Sequence, residues 1–298
     1  MPTIADLETR LGELAQAPNP EVLLGGFRAE SLKALAKKTG RNVIAYYSSF
    51  MTRHEKGDDI TDLDLNAFMN VVHGMDRGKG LDLVLHTPGG GITATEQLVH
   101  YLRDIFQGDI RCIVPQAAFS AGTMIACAAR EILMGRQSCL GPIDPQYLGV
   151  PCHGVVEEFE SAAEQIRKDP AYLSVWRPII EKYRPTFLGE CQKAIKLSNE
   201  LVREWLKTGM FASDPKRVAK ATKITATLGS HSYTKTHDRH IPANEAIRLG
   251  LKVTMFENDQ ELQELILTVH HCFILSFQHL KLLKVVLGDN GRQFMTRG

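Results

Sequence analysis

Two strand-to-helix turns follow one another between Leu81 and Gln146, and they constrain this chain more than any bulk property. The segment runs as an apolar strand (Leu81–His86), Thr87-Pro88-Gly89-Gly90-Gly91, a helix from about Ile92 to Phe106, and a second apolar strand (Ile110–Val114). Ala118-Phe119-Ser120-Ala121-Gly122 and a helix of small residues to Ala129 follow. Strand, helix, strand at this spacing predicts a right-handed parallel crossover, hence an α/β core. Each turn opens a helix, where backbone N–H groups lack intrahelical acceptors and the helix dipole favours negative charge. The second turn carries a serine. The pair therefore offers a nucleophile and a place for a negative oxygen, the two requirements of acyl-transfer chemistry.

The rest of the chain is arranged around that core. Apolar residues at Ile4, Leu7, Leu11 and Leu14 predict a helix over Ile4–Gln16, ended by Pro18 and Pro20, and a second short helix over Ala29–Lys38, stopped by Gly40. Asn42–Ser48 reads as a strand and Thr52–Asp59 as a polar loop. Thr61 with an acid three residues on, Asp64, reads as a helix start. Glu131–Met134 is a further strand. From Pro151 to about Leu228 the pattern turns helical, with a long amphipathic helix over Phe187–Leu206 and a start signal at Asp214-Pro215. A short helix, Pro242–Leu249, is closed by Gly250 before the strand Leu251–Met255. The expected plan is one domain over 1–298. It has a helical arm at 1–40, an α/β core at 41–260 with a helical insertion at about 151–230, and a C-terminal helical arm at 261–298. Helical arms that cannot bury both faces on one core suit a homo-oligomer.

Composition removes several function classes. Thirty-five basic against 34 acidic residues give a net charge of +1, so no global field points to nucleic acid or an anionic membrane. The most apolar stretch, Leu262–Leu287, is broken by Glu264, His270, His271, Gln278, His279, Lys281 and Lys284, too many polar groups for a bilayer span. Six scattered cysteines without a C-x-x-C pair read as reduced, packed thiols, and the acidic, amphipathic N-terminus is unlike a signal peptide. A soluble, cytoplasmic protein is expected.

A serine that begins a helix is usually no more than an N-cap; the glycine turn one crossover earlier argues against that reading for Ser120. With these residues in view, the chain resembles the Clp-protease/crotonase superfamily, and within it the serine dehydrogenase proteinases, relatives of signal peptide peptidase A. The resemblance is carried by Leu85 to Ala94 (LHTPGGGITA), Ala117 to Thr123 (AAFSAGT), Leu140 to Gln146 (LGPIDPQ) and His237 to Leu251 (HDRHIPANEAIRLGL). It implies a Clp-protease/crotonase-like core of repeated ββα units and a serine peptidase acting on peptide or protein substrates. By the same resemblance Ser120 is the nucleophile, the N–H groups of Gly90 and Ala121 form the oxyanion hole, and Asp238 is the triad acid; independently of it, the glycines of the first turn, Gly89 and Gly91 among them, let a substrate carbonyl approach the backbone. Superfamily members stack into rings, which again implies a homo-oligomer. The Clp-type histidine has no counterpart: its region reads Gly141-Pro142-Ile143-Asp144-Pro145.

The base must therefore come from elsewhere, because a serine hydroxyl needs a partner to take its proton. Signal peptide peptidase A uses a lysine, and Lys168, Lys182 and Lys193 lie where one would be expected; Lys168 is the first choice, although lysines on amphipathic helices ordinarily solvate a face. The rival is the cluster His231, His237, His240 beside Asp238, with His237 the candidate base. Neighbours on a strand face opposite ways, which favours His240 over His237 as the partner of Asp238. His86 and Asp144 are candidate substrate contacts, each equally able to be structural. No cysteine joins the histidines at zinc-site spacing and no Gly-x-Gly-x-x-Gly turn is present, so neither a metal nor a nucleotide cofactor is expected. Two further readings stay open. One is a crotonase-like acyl-CoA enzyme, which uses the same paired N–H groups; the other is a catalytically silent oligomeric scaffold, which the missing histidine favours.

Overall fold

The computed structural model describes residues 19–53, 55–230, 233 and 236–298, with residues 6, 9 and 12. The helix expected over Ile4–Gln16 lies, but for those three helical residues, outside the described residues, as does His231.

In chain order the elements are α1 (Pro20–Thr39), β1 (Asn42–Ser48), α2 (Leu63–Val72), β2 (Leu81–His86), α3 (Ile92–Ile105), β3 (Ile110–Val114), β4 (Ala117–Ala118), α4 (Ala121–Ala128) and β5 (Glu131–Met134). Then come β6 (Cys139–Leu140), β7 (Gln146–Tyr147), β8 (Val150–Pro151), α5 (Cys152–Lys168), α6 (Leu173–Ile180), α7 (Phe187–Thr208) and α8 (Arg217–Leu228). The chain closes with β9 (Ile241–Pro242), α9 (Ala243–Leu249), β10 (Val253–Met255), α10 (Gln260–His279), β11 (Leu282–Gly288) and β12 (Gln293–Arg297).

Among the described residues, seven strands form the main sheet in the order β10-β5-β3-β2-β1-β11-β12. From β10 to β1 every pairing is parallel; β11 and β12 are antiparallel. Inside the edge strand β10, the parallel strands β1, β2, β3 and β5 are largely buried on both faces, which is why they read as continuous apolar runs. Their side chains still divide with period two. Ile44, Tyr46, Leu83, Leu85, Cys112 and Ile132 face a core closed by Phe68, Leu98, Met124, Trp205 and Ile224. Val43, Tyr47, Val84, Ile113 and Leu133 face Leu32, Leu35, Ile266 and Phe273 of α1 and α10. Asp82, fully buried at the start of β2, is held by Arg41 (2.7 Å) and Arg111 (2.6 Å). The six thiols are free and buried, and among the described residues no helix is long and apolar enough to cross a membrane.

Three expectations change. Pro20 starts α1: it occupies the first helical turn behind Asn19, whose side chain accepts the Glu21 N–H at 3.0 Å, and the helix runs unbroken to Thr39. The C-terminal arm is helical only to His279; β11 and β12 then extend the sheet, β11 lying entirely buried beside β1. The helix start near Thr61 forms half a capping box. Asp64 reaches back to the Thr61 N–H at 2.8 Å, and Asp62 already has helical dihedrals ahead of the α2 span that begins at Leu63. The insertion at about 151–230 is helical, with α5 and α7 sharing a small core of Cys152, Val155, Phe187 and Cys191.

Candidate active site

β2 ends by passing its chain to a second, smaller sheet, β4-β6-β9. The Thr87 N–H donates to Ala117 O (3.2 Å), and the Phe119 N–H donates to Thr87 O (3.0 Å). This pairing sets the two turns side by side. Gly89 (φ +110°) sits against the serine turn so closely that a Cβ there would lie 2.8 Å from Ser120 Cβ and 2.9 Å from Phe119 O. Gly90 (φ +155°) lies on the backbone of Ile60, 2.3 Å from a would-be Cβ. Both a left-handed φ and a close backbone approach thus require glycine at these two positions. Two of the three glycine N–H groups have partners: Gly89 donates to Thr87 Oγ1 (3.2 Å) and Gly91 to Ile60 O (2.9 Å). The N–H groups of Gly90 and Ala121 have no acceptor among the described residues.

Ser120 adopts φ +48°, ψ −113°, a conformation that costs a non-glycine residue about 1–3 kcal/mol. Its side chain makes no capping bond to α4, so the plain N-cap reading does not describe it. The sharp turn leaves Oγ at the edge of a cleft of about 600 Å³. Small residues let α4 approach this closely: a Cβ on Gly122 would lie 2.6 Å from Thr87 Cγ2. Thr123 then ties α4 to the next loop, donating to Ala118 O (2.9 Å) and accepting the Gly141 N–H (2.9 Å). Ser198 Oγ and Leu228 O hold Ile143 from the other side, at 2.8 and 3.1 Å.

That fixed loop carries Asp144, which is 1% exposed. Its Oδ1 lies 3.1 Å from His237 Nδ1, and its Oδ2 has no partner among the described residues. The hydrogen bond from Asp144 raises the His237 pKa above the ordinary histidine value against the opposing effect of burial, and the charges of Asp144 and Asp238 add to it. His237 lines the same cleft as Ser120, and with Nδ1 turned to Asp144 its Nε2 is the nitrogen left for that cleft.

The cleft brings together Gly89, Gly90, Gly91, Ser120, Ala121 and His237, with Met124, Ile143 and Leu197 as apolar wall. Other sequence candidates fall elsewhere. Lys168 is on the open face of α5, its side chain 73% exposed and paired with Glu164 at 2.6 Å, away from the cleft lining. Lys182 is exposed in the turn after α6. Lys193 reaches the cleft rim but is paired with Glu190 at 3.1 Å and largely exposed. Asp238 is exposed and does not line the cleft; it is Asp144, not Asp238, that bonds His237. His240 stacks on Phe119 at 5.0 Å.

His86 does not contact the cleft. It is fully buried among Tyr47, Phe50 and His270, and burial pushes its pKa down to about 3. Asp144, expected at the substrate, is instead buried behind His237. The sequence reading missed Ile60, whose polar groups bracket Gly90, and the pairing of Asp144 with His237 across 93 positions. A rigid Gly-Pro-x-Asp-Pro loop was the only local signal for that pairing. Among the described residues no group of three or more His, Cys, Asp or Glu side chains converges as for a metal ion.

Residues 59–271 match the description of the ClpP-like SDH-type serine proteinases, a span that includes both turns, Asp144 and His237. Two uncharacterised proteins of Methanocaldococcus jannaschii are similar. One is 31% identical over 173 residues (58% of this chain, 51% of that protein), the other 30% identical over 194 residues (65% and 60%). The matched part of the chain spans only about half to three-fifths of each relative's length. With more than half of its residues inside the match, the chain belongs to the family of ClpP-like SDH-type serine proteinases.

Proposed function

We propose that this chain is a serine peptidase in which His237, oriented by Asp144, is the base for Ser120. The observation that carries the reading is the Asp144–His237 pair facing the cleft that Ser120 borders. In the proposed cycle Ser120 Oγ attacks a peptide carbonyl while His237 Nε2 takes its proton. The N–H groups of Gly90 and Ala121 hold the tetrahedral oxyanion, Gly89 and Gly91 flanking it. His237 then gives the proton to the leaving amine, and water, activated by the same imidazole, releases the acyl group. Asp144 holds the Nδ1–H and stabilises the imidazolium, a task that suits a buried carboxylate with one oxygen already on the ring. Strain at Ser120 exposes its hydroxyl to substrate, a common feature of nucleophile turns.

Assembly into a homo-oligomer belongs to the same reading, supported by α6, none of whose residues is buried within this chain. The test of the chemistry is hydrolysis of a mixed peptide library by wild type, Ser120→Ala, His237→Gln and Lys168→Ala. Loss in the first two variants with full activity in the third is the expected result. Hydrolysis that survives Ser120→Ala would overturn the assignment. A wild type that cleaves nothing would favour the scaffold or acyl-CoA readings.

A further inference from the structure

Lys284 is a charged residue inside a sheet, 4% exposed on β11, whose seven residues are all buried. Its ammonium has three donors and three partners: Asp64 Oδ2 (2.8 Å), Asp59 O (2.9 Å) and Thr61 Oγ1 (3.4 Å). Asp64 Oδ2 also accepts the Thr61 N–H (2.8 Å) and the Tyr46 hydroxyl (3.2 Å). Two of the lysine's bonds thus go to the residues that flank Ile60, Asp59 and Thr61, and the third to Asp64, which itself holds the Thr61 N–H. Ile60 in turn brackets the glycine turn: its N–H donates to Gly89 O (2.7 Å) and its carbonyl accepts the Gly91 N–H (2.9 Å). These bonds hold the peptides on either side of Gly90 and leave the Gly90 N–H open to the cleft. The 2.3 Å approach of a would-be Gly90 Cβ to Ile60 N and O shows how little slack separates the two strands of chain.

We propose that Lys284 is a positioning residue: from the opposite end of the sequence it clamps residues 59–64, and through Ile60 it sets the direction of the Gly90 N–H. The catalytic consequence rests on the peptidase reading above. An oxyanion donor works only when it is held where charge develops, and deleting one such donor lowers kcat by about 100- to 1,000-fold. Loosening one lowers it less. Lys284 touches neither substrate nor the reacting atoms, so its loss lowers kcat with little change in KM.

Lys284→Met alone strands the buried Asp64 carboxylate and risks misfolding, so the informative variant is Lys284→Met with Asp64→Asn. Two readouts are taken on the full chain. The first is steady-state cleavage of a fluorogenic peptide, together with the rate of Ser120 acylation by a fluorophosphonate. The second is amide hydrogen exchange at Ile60 and Gly91. In a double variant that melts cooperatively, kcat and acylation fall about 10- to 100-fold, KM stays within about twofold, and the pH midpoint of the rate is unmoved. Exchange at Ile60 and Gly91 speeds at least about tenfold relative to amides in α10. A folded double variant that acylates at the wild-type rate and keeps Ile60 and Gly91 protected would overturn the assignment to Lys284. So would a loss that appears in KM and not in kcat. A wild-type chain whose Ser120 is never acylated would overturn the peptidase reading instead, and the exchange readout would still decide whether Lys284 holds the turn.

Discussion

Substituting Gly89 by alanine tests whether the two turns are built against each other. Gly89 has φ +110°, and the added methyl would meet Ser120 Cβ at 2.8 Å, Phe119 O at 2.9 Å and Ala121 N at 3.1 Å. The positive φ alone costs about 1–3 kcal/mol, and forcing a methyl into a packed site adds about 1–3 kcal/mol. Gly40 is the matched control. It ends α1 with φ +68° and has nothing within 4 Å of a would-be Cβ, so Gly40→Ala carries the conformational penalty without the collision. Both variants gain the same benefit from a stiffer unfolded chain, which cancels in their difference. For 298 residues at ~2.1 cal/mol/K each, the unfolding entropy is about 0.6 kcal/mol/K. Gly40→Ala then lowers Tm by about 2–5 °C and Gly89→Ala by about 3–10 °C, with Ser120 acylation slowed only in the second. Differential scanning calorimetry with a parallel labelling assay reads both quantities. Equal melting temperatures and equal labelling in the two variants would refute the close approach of the turns.

The Asp144–His237 pair gives activity and stability opposite pH trends. As base, His237 must be neutral, so peptidase activity rises as pH climbs through its raised pKa; Asp144→Asn removes the main raising influence, leaves burial, and moves the midpoint of a kcat/KM profile to lower pH. The stability contributed by the protonated ring is fully present below the unfolded histidine pKa of about 6.5 and is lost as pH rises through the higher folded value. In denaturation curves the gap between wild type and His237→Gln therefore narrows toward alkaline pH. Lys168→Ala, which breaks a solvent-screened pair with Glu164 on an exposed helix face, leaves the melting temperature and the acylation rate essentially intact; a large rate loss would restore a lysine base. Asp82→Ala removes the buried carboxylate that joins Arg41 and Arg111 from either side of β2; Arg41 keeps Asp109 (2.9 Å) while Arg111 loses both bonds to Asp82, at a cost of about 3 kcal/mol in urea unfolding.

The core was legible because its signals are local. Buried parallel strands such as Leu83-Val84-Leu85 and Ile113-Val114 cannot be mistaken for solvated segments, and Gly89-Gly90 and Ser120-Ala121-Gly122 mark turns that few other residues could make. Elsewhere the same local logic misled. Pro20 starts a helix as readily as it stops one, and only the Asn19 cap decides. The apolar stretch from Leu262 to Leu287 contains both α10 and β11, joined at Leu280 without a glycine or proline to mark the change, and hydrophobicity alone does not separate a buried helix from a buried strand. The partners of the site are more distant still. Asp144 and His237, or Lys284 and Asp64, meet only once the sheet and its insertion have folded. Lys168 drew attention by its position in the chain, whereas its i,i+4 pairing with Glu164 already described a solvated helix face.

The most direct measurement is the intact mass of wild type, Ser120→Ala and His237→Gln after exposure to a fluorophosphonate. The expected result is a single adduct on wild type, none on Ser120→Ala, and labelling slowed at least about 100-fold on His237→Gln. An unlabelled wild type, or an adduct that persists in Ser120→Ala, would contradict it.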